Sequence, residues 1–175
     1  MLTPTREILS FRTLALLPPI LFTPTLVSFA VAPGAVAVEY TGVLFHLAIM
    51  FIVARMPAPM WAKAAGFGWL TLDVLSAIMT INEIPHNIAW AVRLGGHVMA
   101  GMWFITTSLL APPKSIRIVG VILGSWLALY SFLGNVLPQE FLYPGGLLVP
   151  VWFLLLAWKH QSNLDGVPTL APRPT

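Results

Sequence analysis

Six long apolar runs, separated by short breaks, make up most of this chain. Each holds about 20 mostly apolar residues, the length that crosses the hydrocarbon core of a bilayer as an α-helix. The runs cover 13–32, 36–54, 61–81, 87–111, 115–134 and 141–158. The breaks carry turn chemistry: Pro33-Gly34, Pro57 with Pro59, Pro85, Pro112-Pro113 and Pro138. Proline cannot continue a helix freely. The pattern predicts an all-α, polytopic transmembrane helix bundle of six spans in one domain, residues 1–160. A polar tail, 161–175, is rich in proline and is expected to be disordered. Pro18, Pro19 and Pro24 predict a kink in the first span. Its Ala30-Val31-Ala32 end resembles a signal-peptide cleavage site, but Pro33 disfavours cutting there, so the run is expected to remain a span. No internal repeat is visible.

Charge orients the bundle. Lys and Arg favour cytoplasmic loops. Arg6, Arg12, Arg55, Lys63, Lys114, Arg117, Lys159 and Arg173 all fall on one side of a six-span topology. The other three loops hold Glu39, Glu83 and Glu140 and no basic residue. Both termini are therefore expected in the cytoplasm, in the inner or plasma membrane of a cell. Arg93 is the one basic residue that breaks this distribution. Trp61 and Trp158 fall at the expected inner boundary, and Tyr40, Trp90 and Tyr143 near the outer one, where amphipathic rings prefer to lie.

Composition narrows the function classes. The 175 residues are 58% hydrophobic and 9% charged, against about 25% charged in soluble domains. The chain has no cysteine, which removes disulfides, thiolate metal sites and cysteine nucleophiles. No basic run or stripe suggests nucleic acid. The loops are too short to hold a soluble catalytic domain, and no nucleotide-binding or hydrolase fingerprint occurs. Nothing marks the chain as an enzyme. Its expected partners are the lipid bilayer and a small ligand or another membrane protein.

Small residues predict how the helices meet. Gly120, Gly124, Ala128 and Ser131 recur on one stripe of the fifth span, which continues to Asn135. Such stripes let helix backbones approach closely in lipid. An intramolecular seam is the expectation.

Depth singles out the candidate chemistry. His46, Asp73 and His97 lie on three different spans, each about ten residues, or roughly 14 Å, below the outer boundary of a ~30 Å core. An ionisable group there must be neutralised, paired or wetted. Arg93 shares a helical face with His97, one turn away, and is the expected cation for Asp73 or for an anionic group. Glu39 lies two turns outward from His46 on the face that also holds Gly42. Asp73 shares its face with Trp69, Ser76 and Thr80, and the Arg93 face extends to Trp90 and Gly101. With Glu83 at the rim, these residues predict an outward-facing polar cavity floored by His46, Asp73 and His97, binding a small ligand or relaying protons.

Asp73, Arg93 and His97 also suit a buried structural network that holds the helices in register, and two other functional readings compete. His46 and His97 at equal depth suit axial ligation of a b-type haem in an electron-transfer protein. The same pair with Asp73 has acceptable ligand types for zinc, but no compact motif supports it and no metal ligand is assigned. The third reading is a non-enzymatic membrane subunit or assembly factor working through the Gly120–Gly124 face.

Overall fold

A computed structural model describes residues 9–32 and 34–159. The tail and His160 lie outside the described residues. Six α-helices follow in order: α1 (Phe11–Val31), α2 (Ala37–Arg55), α3 (Met60–Ile81), α4 (His86–Leu110), α5 (Lys114–Leu133) and α6 (Tyr143–Lys159), the last entered through a 3-10 turn, Gln139–Leu142. Each covers one of the apolar runs and, with the 3-10 turn counted into the last, is long and apolar enough to cross a membrane. Proline or an extended residue marks most ends. Pro59, Pro85 and Pro113 stand at the N-caps of α3, α4 and α5, where a missing N–H costs nothing. Helix α1 continues through Pro18, Pro19 and Pro24. Thr23 Oγ1 donates to Pro19 O at 3.0 Å, so it does not take the Ile20 carbonyl that Pro24 leaves free.

Short connections make chain neighbours antiparallel. Contacts run from α1 to α2 and onward to α6, and α6 closes back on α1. The result is a ring of six helices in chain order. One end of the ring carries Arg55, Lys63, Lys114, Arg117 and Lys159 and is called here the basic end; the other carries Glu39, Glu83 and Glu140 and is called the acidic end. At the basic end three of the cations bind backbone carbonyls. Arg55 Nη1 donates to Leu9 O, Lys63 Nζ to Ala54 O and Arg117 Nε to Ala111 O. Ala54 and Ala111 lie at the C-termini of α2 and α4, whose last carbonyls lack helical partners and favour positive charge.

Two glycines bring α4 and α5 together. A Cβ on Gly101 would lie 2.6 Å from Gly124 O, and one on Gly124 would lie 2.8 Å from Gly101 O. Ala128 packs against Gly101 in the same seam, and a Cβ on Gly120 would collide with Ser108 of α4 and Trp152 of α6. Gly120, Gly124 and Ala128 thus face inward, as expected of an intramolecular stripe. Ser131 departs from it: its hydroxyl donates to Leu127 O of its own helix, and it borders an outer groove between α4 and α5.

The middle and the basic-end half of the ring are filled by aromatic rings. Trp103, Phe104, Trp152 and Phe153 are fully buried. Trp152 meets Phe104 at 4.9 Å and Trp103 at 5.4 Å in edge-to-face contacts, the arrangement that ring quadrupoles favour. Trp152 Nε1 donates to Ser108 Oγ at 2.9 Å, which satisfies both groups in a dry interior. Trp69 joins this cluster from above, 5.2 Å from Phe104.

Candidate functional site

Above the aromatic plug the ring opens into a cavity of about 190 Å3 that reaches Glu39, Trp90, Gln139 and Tyr143 at the acidic end. Its floor holds His46, Trp69, Asp73 and His97. The three ionisable residues meet there. His46 Nε2 lies 3.0 Å from Asp73 Oδ2, and His97 Nε2 lies 3.8 Å from the same oxygen. Asp73 is 3% exposed, so neighbouring side chains form its immediate surroundings.

The local helix geometry places each group. Trp69 precedes Asp73 by one helical turn and donates its indole N–H to Asp73 Oδ2 at 2.7 Å. Gly42 precedes His46 by one turn, and its carbonyl lies 2.7 Å from His46 Nδ1. On α4, Gly96 lets the carboxylate in: a Cβ there would stand 2.6 Å from Asp73 Oδ1 and 3.4 Å from Trp69 O. A residue with any side chain at position 96 would push α3 away from α4 at the centre of the site.

These distances set the proton count. A carbonyl oxygen only accepts, so His46 Nδ1 carries a hydrogen. Two bare lone pairs would repel at the 3.0 Å separation of Nε2 and Oδ2. One proton therefore lies between them, whether as imidazolium with carboxylate or as imidazole with carboxylic acid. His97 stands beside this pair as a second base. Its Nδ1 is buried and has no hydrogen-bond partner, and the same holds for Asp73 Oδ1.

Arg93 does not pair with Asp73, contrary to expectation. It binds Glu39 of α2 through two hydrogen bonds, Nη2 to Oε2 at 2.7 Å and Nη1 to Oε1 at 3.2 Å. Both face the cavity one level above the floor. The physical reason is reach along two helices: Arg93 and Glu39 lie nearer the acidic end than Asp73 does, and fork-to-fork geometry makes the carboxylate at its own level the better partner. Glu83 also falls away from the site. It is exposed in the α3–α4 turn with a left-handed φ of 61° and is not part of the cavity lining.

The polar stripes expected on each helix are shorter than the spacing suggested. Glu39, Gly42 and His46 line the cavity, as do Trp69 with Asp73 and Trp90 with Arg93 and His97. Ser76 instead donates to Ala89 O across the α3–α4 contact at 2.8 Å. Thr80 donates to Ser76 O, and Gly101 is spent on the α5 seam. Trp69 as the donor to Asp73 was not expected, although a Trp four residues before a buried Asp is itself the signal. The far wall, built by Phe22 and Phe29 of α1 and Leu142, Tyr143 and Val149, had no signal, because nothing in the sequence says that α6 closes on α1.

The haem reading does not fit this geometry. Both Nε2 atoms lie close to one Asp73 oxygen, at 3.0 and 3.8 Å, where axial ligation would need them free for an iron. The cavity, about 190 Å3, is also below the ~300–1,000 Å3 typical of drug-sized ligands, and a porphyrin is larger than most of these. Among the described residues no group of three His, Asp or Glu is arranged to hold a metal ion.

Fold and site together define an all-helical bundle of six apolar helices whose ring encloses a polar cavity, closed at the basic end by aromatic packing. No family model, curated protein or solved structure matches the chain, so its function is read from its own geometry.

Proposed function

We propose that this chain is a multi-pass membrane protein, with both termini in the cytoplasm, that binds a small ligand in an outward-facing cavity and exchanges protons at the His46–Asp73–His97 floor. One observation carries the reading: side chains from α2, α3 and α4 converge on one carboxylate oxygen at the closed end of an open cavity. Burying such a cluster in an apolar bundle is costly unless it works or holds the fold. The cavity lends weight to work, since a purely structural cluster gains nothing from access to one face. The distribution of Lys and Arg supports the orientation in a cell's inner or plasma membrane. The assembly-factor reading loses its surface, because Gly120 and Gly124 are occupied by α4 and α6 within the ring.

The absence of cysteine makes the test direct. A cysteine at Gly42 fits, since a Cβ there meets nothing closer than Glu39 Oε2 at 3.9 Å. In intact cells a membrane-impermeant maleimide added outside is expected to label Gly42→Cys and to spare Ala77→Cys, which is 1% exposed. Protection of Gly42→Cys in intact cells, with labelling only after the membrane is opened, would place the cavity on the inner face and overturn the orientation. No labelling in either state would overturn the cavity.

A further inference from the structure

The cavity separates groups that are already satisfied from groups that are not. Both carboxylates are engaged: Glu39 by the guanidinium of Arg93, and Asp73 by Trp69 and by the proton it shares with His46. Asp73 Oδ1 also lacks a partner, but it is turned against Gly96 of α4; the other unclaimed groups are on α4 itself. His97 Nδ1 is buried without a partner. Glu39 uses Nη1 and Nη2 of Arg93, and among the described residues no acceptor takes its Nε–H. These two residues are one helical turn apart on the same face, and both line the cavity. The opposite walls are mostly apolar, with Phe22, Phe45, Leu127, Leu142 and Val149, and carry the hydroxyls of Thr25, Ser28 and Tyr143 and the amide of Gln139.

We propose that the cavity takes a small organic anion, of the weak carboxylic acid class, together with one proton. This deepens the cavity reading and rests on it. The carboxylate lies against α4 between Arg93 and His97, and its apolar body faces the α1 and α6 walls. Arg93 cancels Glu39, and the shared proton makes the His46–Asp73 pair neutral. An added anion alone would leave one negative charge uncompensated in a poorly hydrated bundle. His97 is the base with room for the proton that restores neutrality. No bond is made or broken other than that to the proton, which passes from solvent to His97. A cationic ligand finds no free carboxylate: it would have to displace Arg93 from Glu39 or the proton from Asp73, and strand the displaced charge. The charged and titratable groups that face His97 are Asp73 from α3, His46 and Glu39 from α2, Arg93 on α4 and Tyr143 from α6. The cavity residues of α1 and α5 carry none.

Benzoate, benzamide and benzylamine share a ring and differ in charge, and serve as probes. Full-length protein in detergent is titrated with each by calorimetry, in two buffers of different ionisation enthalpy that report proton uptake. Benzoate is expected to bind with close to one proton taken up. Its affinity should fall about tenfold per pH unit where the free site and the ligand are both deprotonated. Benzamide and benzylamine should bind about tenfold or more weakly, the worth of a hydrogen bond to a charged group. His97→Gln keeps a polar side chain and should abolish the proton uptake. Equal or tighter binding of benzylamine or benzamide, benzoate binding without proton uptake, or undiminished uptake in His97→Gln would each overturn the proposal. So would failure of all three to bind. If Gly42→Cys is still labelled from outside, that failure leaves the cavity standing and removes only its assignment to weak acids. Should His97→Gln not fold, the proton count of the unaltered protein decides alone.

Discussion

The two ends of this helix ring use the same six helices to opposite ends. Toward the basic end the interior is dry, and Trp103, Phe104, Trp152 and Phe153 fill it edge to face. Toward the acidic end the helices enclose polar groups and space. The plug satisfies most of its polar side chains, Trp152 with Ser108 and Thr107 with Trp103 O, and leaves Trp103 Nε1 without a partner. The cavity floor holds three ionisable side chains around one oxygen and leaves Asp73 Oδ1 and His97 Nδ1 open. In lipid, burying more apolar surface gains little, because the solvent is as apolar as the core. Packing therefore holds the closed end, while the open end keeps groups whose burial is unfavourable. The closed end carries the stability and the open end the chemistry.

Substitutions can break that contrast. The largest effect is expected in the plug. Phe104→Ala should cost about 3–5 kcal/mol in reversible unfolding from mixed micelles, without changing probe binding in the protein that remains folded. An equal loss from His97→Gln would erase the difference between the ends. Next comes Asp73→Ala, which strands the proton on His46 and the indole N–H of Trp69. Loss of one partner of a buried pair costs about 3 kcal/mol or more, and adding His46→Leu should recover part of it. If the double variant is less stable than the single, the pair is not the unit described here.

Gly96 and Gly95 sharpen the contrast within one helix. Gly96→Ala drives a methyl group into Asp73 Oδ1 and Leu72 and should cost about 1–3 kcal/mol as overpacking. It should also weaken benzoate binding. The double-mutant cycle of Glu39→Gln with Arg93→Gln should return a coupling of about 1–2 kcal/mol, and Asp73→Asn with Arg93→Gln a value near the error of about 0.5 kcal/mol. A reversed order would restore Arg93 as the partner of Asp73. The smallest effect belongs to Gly95→Ala. Its Cβ would meet only Leu72 Cδ1 at 3.9 Å, so helix propensity should raise stability by up to about 1 kcal/mol, with the cavity unaltered. Thermal unfolding of the two neighbours, side by side, decides whether close approach is confined to position 96.

Hydropathy, proline breaks and glycine spacing made the six helices and an intramolecular seam on α5 legible in advance, because the length of an apolar run and the size of a side chain are properties of the chain alone. Depth was legible too: a rise of about 1.5 Å per residue put His46, Asp73 and His97 at one level before any contact was known. Rotation about each helix axis and the order of helices around the ring were not, since both depend on which neighbours a helix meets. That is why Arg93 was matched to Asp73 when its partner is Glu39, 54 residues away, and why Ser76 and Gly101 were assigned to a cavity they do not reach. The indole of Trp69 that holds Asp73 was readable from their one-turn spacing on α3, whereas closure of α6 onto α1, which supplies the far wall, was decided only by tertiary packing, where each side chain has to settle against a particular neighbour.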